Sequence, residues 1–129
     1  RKLAQALLSS AGQTVWIDDE ARMDAVTGVS GSGPAYVFLL AEAMEAAAIK
    51  EGLAPDAART LVLQTVLGAA RMLTESDVAP EELRRRVTSP NGTTQAAVET
   101  FQPVGLETLV AAAIHAATVR GQELSVAND

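Results

Sequence analysis

Apolar residues recur at helical spacing along most of the chain, which predicts an all-α fold. Residues 35–51 are apolar on nearly every side, as expected for a helix that is buried by several neighbours. Residues 55–75 instead combine an apolar face with a charged face, a pattern typical of an amphipathic helix. Further helices are predicted over 2–10, from 18 onward, over 80–86, over 93–101 and over roughly 105–124.

One short segment departs from this helical pattern. Residues 14–17, with the sequence Thr-Val-Trp-Ile, are rich in β-branched residues and predict a strand. A lone strand leaves its backbone N–H and C=O groups unpaired. We therefore expect its partner strands to lie in a missing neighbouring domain or in a second copy of the chain.

Composition narrows the class of protein further. The 129 residues suggest one domain, and alanine accounts for much of the 48% hydrophobic content, which favours helices. The absence of cysteine excludes disulfides, thiolate metal sites and a thiol nucleophile. A net charge of −6 disfavours nucleic acid as a partner. Apolar runs far shorter than ~20 residues predict no membrane span, so we expect a soluble, cytoplasmic protein.

The apolar helix over 35–51 has a consequence for assembly. In so small a chain, one protomer offers little surface to cover a helix that is apolar nearly all round. We therefore expect a second subunit to bury it in a homodimer, because a monomer would leave a large apolar patch in water.

The first candidate for chemistry is the glycine-rich segment 26–34. Gly28, Gly31 and Gly33 would allow a ligand to approach the backbone, and Pro34 suits the first turn of the next helix. The glycine spacing does not match the dinucleotide-binding fingerprint, and the segment follows a helix rather than a strand. We expect it to interrupt the helix, and a tight connection between helices that needs small residues is the favoured interpretation.

The second candidate is the segment 87–94, with the sequence VTSPNGTT. Its hydroxyl groups and its backbone N–H groups lie where a helix begins, which is a suitable arrangement for binding a carboxylate or a phosphate. An ordinary capped turn has the same composition, because Ser, Asn, Gly and Thr are the usual capping residues. Residue types alone favour the capped turn.

Other polar residues are weaker candidates. His115 lies in the middle of the last helix beside its apolar face, and we expect it to pack or to lie at an interface rather than act as a base. Three arginines at 84–86 close a short helix, where basic side chains are usually solvated.

The two candidate segments together resemble the C-terminal half of pyrroline-5-carboxylate reductase. The stretch DAVTGVSGSGPAY at 24–36 is similar to that family's entry into its helical domain, and VTSPNGTTQAAV at 87–98 is similar to its signature loop and following helix. The similarity runs from about residue 13 to 124. Two departures are Asn91, where a glycine is frequent, and Thr93, where the residue is often smaller.

The resemblance implies a two-domain enzyme. Residues 1–18 would be the last helix and strand of an absent Rossmann domain, which would bind NADP or NAD. Residues 19–129 would form a helical dimerisation and substrate-binding domain, whose helices interleave with those of a partner in a homodimer or a higher homo-oligomer.

The resemblance also implies the reaction and its residues. The family transfers hydride from NADPH or NADH to the C=N carbon of 1-pyrroline-5-carboxylate and so forms L-proline. By similarity, Ser89, Gly92, Thr93 and Thr94 would bind the carboxylate of this small substrate. Thr27 would be catalytic and would lie near the nicotinamide, as a proton donor or as a positioning group.

Two alternatives stay open at this point. The chain could be the helical domain of another imine or hydroxyacid reductase. Such domains often rely on a lysine or an aspartate, whereas the only interior lysine here, Lys50, lies near a helix end. The chain could also be a structural dimerisation module that binds no ligand.

Overall fold

A computed structural model of the chain describes residues 16, 17 and 22–128, and this part is built from helices, as predicted. Its elements, in chain order, are α1 (Met23–Val26), a π-helical turn (Thr27–Gly31), α2 (Gly33–Lys50), α3 (Pro55–Glu75), α4 (Pro80–Arg86), α5 (Thr93–Val104) and α6 (Leu106–Asn128).

Proline and glycine fix the helix boundaries. Pro55 and Pro80 stand in the first turns of α3 and α4, where the missing N–H costs nothing, and both helices coincide with their predicted ranges. Helix α5 runs three residues beyond its predicted end, because Pro103 lies in the last turn and forfeits only one hydrogen bond. The helix ends at Gly105, whose φ of 102° lets its N–H bond the carbonyl oxygens of the preceding turn at 3.2 and 3.1 Å.

The glycine-rich segment ends the first α-helix at Val26, as predicted, but it does so as a π-helical turn rather than as a loop. The chain continues from α1 into the π-helical turn, where the N–H of Ser32 bonds the carbonyl oxygen of Thr27 at 2.8 Å. The π-helical turn also packs closely on α6. A Cβ atom on the buried Gly28 would lie 2.8 Å from Oγ1 of Thr118 and 3.1 Å from the carbonyl oxygen of Ile114. The favoured interpretation, a tight connection between helices that needs small residues, agrees with the place of the segment between α1 and α2 and with the close approach at Gly28.

The predicted strand is not formed at Trp16 and Ile17, which lie in no regular element. A strand needs a hydrogen-bonding partner, and the described residues contain no other strand to supply one. Residues 14 and 15 lie outside the described residues, as do the helix predicted over 2–10 and the helix start predicted at 18.

Two groups of helices pack together. Helices α2 and α3 form an antiparallel pair, joined by a short turn in which Gly52 has a φ of 105°. Ala58 and Val62 are the buried apolar side chains among the described residues, and both belong to α3. Helix α1 and the π-helical turn pack on α6, which also contacts α5. The described core is therefore thin.

Most apolar surface of the helices is left open within one protomer. On α2, Phe38 and Leu39 are 70% and 65% exposed. One protomer alone therefore does not provide the burial that the apolar sequence of this helix predicts. None of the described helices is long and apolar enough to cross a membrane.

Candidate functional site

The loop between α4 and α5 forms a tight turn at the start of α5. The N–H of Gly92 bonds the carbonyl oxygen of Ser89 at 3.1 Å. Asn91 has a φ of 61°, in the left-handed region that asparagine tolerates better than most residues. This conformation explains how asparagine can replace a glycine at position 91.

Gly92 lets the turn close. A Cβ atom at this position would lie 3.2 Å from the carbonyl oxygen of Ser89, which is closer than an ordinary contact. Its own φ of −91° is open to any residue, so the space beside Ser89 is the constraint. The predicted site residue Gly92 thus suits the close approach of Ser89 in this turn.

The start of α5 leaves backbone donors free. The first helical hydrogen bond runs from the N–H of Ala96 to the carbonyl oxygen of Gly92 at 3.3 Å, and no side chain caps the helix. The N–H groups of Thr93, Thr94 and Gln95 therefore lack partners among the described residues. Together with the positive end of the helix dipole, these donors favour an anion.

Hydroxyl groups surround these donors. Ser89, Thr93 and Thr94 are exposed, and their hydroxyls make no hydrogen bond in the described part of the chain. Because a hydroxyl rotates freely, each can turn its hydrogen toward an incoming oxygen atom. The structure thus brings the four residues predicted to bind substrate into one turn, with free donors on both backbone and side chains.

A groove of about 420 Å³ runs beside the loop. Its walls come from α4, the loop and α5, and they include Arg84, Thr88, Pro90, Gln95, Glu99 and Gln102. Thr93 and Thr94 are exposed and lie outside this lining, whereas Gln95 belongs to it. One protomer alone therefore does not enclose the start of α5.

The arginines of α4 carry little of the local chemistry. Arg86 lies 3.6 Å from a carboxylate oxygen of Glu82, and Arg85 pairs with the same side chain. Exposed pairs of this kind within one helix contribute only a few tenths of a kcal/mol, about 0.3–0.5. The predicted solvated character of this cluster agrees with the exposure of all three arginines.

Thr27 begins the π-helical turn and is exposed. Its hydroxyl donates to the carbonyl oxygen of Met23 at 3.2 Å, which leaves the lone pairs of Oγ1 available to accept a hydrogen bond. The hydroxyl of Tyr36 holds the same turn by donating to the carbonyl oxygen of Gly28 at 2.5 Å. Single π-helical turns are rare and occur often at functional sites.

The structure does not pack Thr27 against the loop at Ser89. The π-helical turn contacts α1, α2 and α6, whereas α5 packs on α6. His115 is exposed on α6, so it does not pack within the protomer, and its place at an interface stays a prediction. Within one protomer, the two predicted parts of the site are separate.

Sequence reasoning missed Gln95. Its Oε1 accepts a hydrogen bond from the N–H of Asn91, and its Nε2 donates to a carboxylate oxygen of Glu99 at 2.8 Å. The position carried a signal, because a glutamine at the third residue of a helix often reaches back to the residues before it. The described residues contain no cluster of three or more His, Asp or Glu side chains that could hold a metal ion.

The fold and the loop define an all-α domain with an open apolar face and an anion-accepting helix start. A family model described as pyrroline-5-carboxylate reductase dimerisation matches residues 20–124, and the chain belongs to this family.

Individual relatives agree with this assignment. The chain is 58% identical to a pyrroline-5-carboxylate reductase of Pseudomonas aeruginosa over 122 aligned residues. The aligned region covers 95% of this chain and 45% of the relative. It is 46% identical to a pyrroline-5-carboxylate reductase of Haemophilus influenzae over 125 aligned residues. That aligned region covers 96% of this chain and 46% of the relative. The chain thus spans slightly less than half the length of these curated relatives.

Solved structures give the same picture. A pyrroline-5-carboxylate reductase from Coxiella burnetii superposes with a TM-score of 0.92 at 41% identity, over 95% of this chain and 46% of that chain. A pyrroline carboxylate reductase from Plasmodium falciparum, solved with NADP bound, gives a TM-score of 0.83 at 32% identity over the same shares. The fold of this chain is therefore one that known members of the family adopt.

Proposed function

We propose that this chain is the dimerisation and substrate-binding domain, residues 19–129, of a pyrroline-5-carboxylate reductase. The whole protein transfers hydride from NADPH or NADH to the C=N carbon of 1-pyrroline-5-carboxylate and forms L-proline. The family match over residues 20–124 carries this proposal. In support, the described structure offers a small carboxylate a donor-rich helix start.

The loop at the start of α5 binds the substrate carboxylate. The N–H groups of Thr93 and Thr94 point out of the helix without an internal partner, and the hydroxyls of Ser89 and Thr94 are free to turn toward the same anion. Gly92 keeps the turn tight enough to place Ser89 beside the helix start. A carboxylate held here is fixed by hydrogen bonds without a basic side chain.

Thr27 orients the other end of the substrate. Its hydroxyl hydrogen is donated to the carbonyl oxygen of Met23, so the lone pairs of Oγ1 are available to accept a hydrogen bond. These lone pairs can accept a hydrogen bond from the N–H of a protonated imine, the electrophilic form that hydride transfer needs. In this role Thr27 is a catalytic residue that contacts the reacting group and holds its proton in place.

The dihydronicotinamide of NADPH or NADH supplies the hydride when it is bound. The described residues do not fit the pyrophosphate of the dinucleotide, because their glycine-rich segment is a π-helical turn packed on α6 and does not link a strand to a helix. We assign that part of the cofactor to a Rossmann domain, to which residues 1–18 would belong.

A homodimer, or a higher homo-oligomer, completes the domain. The open faces of α2 and α6 include Phe38, Leu39 and Leu109, each more than 60% exposed, and a second copy would bury them. Assembly of this kind also brings residues of two protomers together, which would unite Thr27 with a loop that it does not contact in one protomer. Nucleic acid and membrane have no part in the proposal, and the cytoplasmic location stays a prediction.

The decisive experiment follows cofactor oxidation by the whole protein. We expect NADPH or NADH to be consumed only when 1-pyrroline-5-carboxylate is present, with one L-proline formed per cofactor. A 2-oxo acid serves as the matched control, because a hydroxyacid reductase would reduce it. Turnover of the 2-oxo acid would contradict the proposal, as would a folded dimer that does not turn over 1-pyrroline-5-carboxylate.

A further inference from the structure

The side chain of Gln95 ties the loop to the helix that follows it. Its Oε1 accepts a hydrogen bond from the N–H of Asn91, and its Nε2 donates to Glu99 one turn later at 2.8 Å. The side chain is half-buried beside the groove between α4 and α5. No part of the mechanism above uses it.

Glu99 fixes the orientation of the Gln95 amide. An ionised carboxylate can only accept hydrogen bonds, so it must face the NH₂ group of the amide. The amide oxygen is thereby directed toward the N–H of Asn91, which can only donate. Donor and acceptor match at both ends, and turning the amide over would break both hydrogen bonds.

Asn91 is the residue of the loop that most needs such support. Its φ of 61° is a conformation that costs free energy for any residue except glycine. The hydrogen bond from its N–H to Gln95 holds this peptide in place, within the turn from Ser89 to Gly92. The same side chain leaves the N–H groups of Thr93 and Thr94 free.

We infer that Gln95 is a positioning residue for the substrate carboxylate. It holds Asn91 in the left-handed conformation and so aims the N–H groups of Thr93 and Thr94 at the anion. The inference rests on the proposed function of this loop. Gln95 acts through the loop and does not touch the reacting atoms.

A positioning role of this kind has a specific kinetic signature. The loop holds the carboxylate equally well in the ground state and in the transition state. A looser loop therefore weakens the binding of both states by the same amount, so KM rises and kcat is unchanged. The loss of one hydrogen bond predicts a rise in KM of roughly three- to tenfold. A role confined to stability would lower the unfolding temperature and leave KM unchanged.

The test compares Gln95→Leu with Gln102→Leu in the whole protein. Gln102 lies on the same helix, lines the same groove and makes no side-chain hydrogen bond in the described structure, so it is a matched control. We expect the KM for 1-pyrroline-5-carboxylate to rise roughly three- to tenfold in Gln95→Leu alone. An unchanged KM in Gln95→Leu, or equal rises in both variants, would overturn the inference.

A second pair of variants tests the route through Asn91. Because glycine adopts a positive φ without strain, Asn91→Gly should reduce the effect of Gln95→Leu when the two changes are combined. An equal KM rise in both backgrounds would overturn the claim that Gln95 acts through Asn91. Glu99→Leu keeps the Gln95 amide but removes its hydrogen-bond partner. This variant should also raise KM, but by less than Gln95→Leu does.

Thr94→Val separates this inference from the proposed function. A loss of kcat/KM in Thr94→Val with an unchanged KM in Gln95→Leu overturns the positioning role alone. An unchanged kcat/KM in Thr94→Val overturns the substrate site itself, and the positioning role with it.

Discussion

The glycine-rich segment 26–34 and the loop 87–94 have similar compositions and opposite structures. Both combine glycine with serine, threonine and proline, and both precede a helix. In the first, the chain stays helical and Gly28 is buried against α6. In the second, the chain turns sharply at Asn91 and leaves the first N–H groups of α5 free.

The difference shows what the small residues signal. A glycine indicates that something approaches the backbone closely, and at Gly28 that neighbour is the α6 helix itself. Free donors have a separate origin, because they arise where a helix starts without a cap. Directly after the π-helical turn, the N–H of Ser32 bonds the carbonyl oxygen of Thr27. The N–H of Thr94 has no such partner in the described part of the chain.

The largest expected effect concerns the dinucleotide. If the glycine-rich segment only packs on α6, the chain 1–129 by itself should bind no NADPH and show no cofactor-dependent reduction of 1-pyrroline-5-carboxylate. Fluorescence titration with NADPH and a turnover assay measure the two properties, with the whole protein as the positive control. Cofactor-dependent turnover by the chain alone would show that this segment does more than pack.

The next effect concerns Thr94, where the valine variant keeps the shape and removes the hydroxyl. A hydrogen bond to a charged group contributes roughly 1.5–3 kcal/mol. In the whole protein we therefore expect kcat/KM of Thr94→Val to fall about ten- to a hundredfold. Cofactor affinity should barely change.

His115→Gln is the control for Thr94→Val. His115 is exposed on α6 and has no part in the proposed site, so its replacement should change kcat/KM much less. Equal losses in the two variants, or an unchanged kcat/KM in Thr94→Val, would leave the loop as an ordinary capped turn.

A stability measurement tests the packing role of Gly28. The methyl group of Gly28→Ala would collide with Oγ1 of Thr118, whose hydroxyl is held by the carbonyl oxygen of Ile114 at 2.8 Å. Overpacking of this kind lowers the free energy of unfolding by about 1–3 kcal/mol. Gly33→Ala is the matched control, because no atom lies within 4 Å of the added methyl group. Equal stabilities of the two variants in urea unfolding would refute the packing role.

The smallest expected effect concerns the turn itself. Asn91→Ala places a residue that disfavours positive φ at 61°, and it should lower the free energy of unfolding by about 1 kcal/mol. Asn91→Gly, compatible with the same φ, should be neutral within about 0.5 kcal/mol. If Asn91→Ala were as stable as Asn91→Gly, the left-handed conformation at this position would be in doubt.

The helices with strong local signals were predictable from sequence. Pro55 and Pro80 mark helix starts. A periodic apolar face then predicts α3, and acidic residues followed by basic ones predict α4. The four residues of the candidate loop also come together as expected, because they are neighbours in sequence. Local chemistry decides such features, so a local pattern is enough to predict them.

The features that sequence did not predict depend on distant contacts. The π-helical turn packs through Gly28 against Thr118, which is ninety residues later in the chain. The strand expected at Trp16 and Ile17 would need partner strands that the described residues do not contain. Gln95 was missed for a different reason: its role depends on side-chain direction, although its position at the third residue of a helix offered a hint.

A crystal structure of the whole protein with L-proline would test the central claim most directly. We predict that the carboxylate of the bound L-proline lies at the start of α5, with its oxygens about 2.7–3.2 Å from the N–H groups of Thr93 or Thr94 and from a neighbouring hydroxyl. L-proline bound with its carboxylate elsewhere, and these N–H groups facing only water, would contradict the assignment of the loop as the carboxylate site.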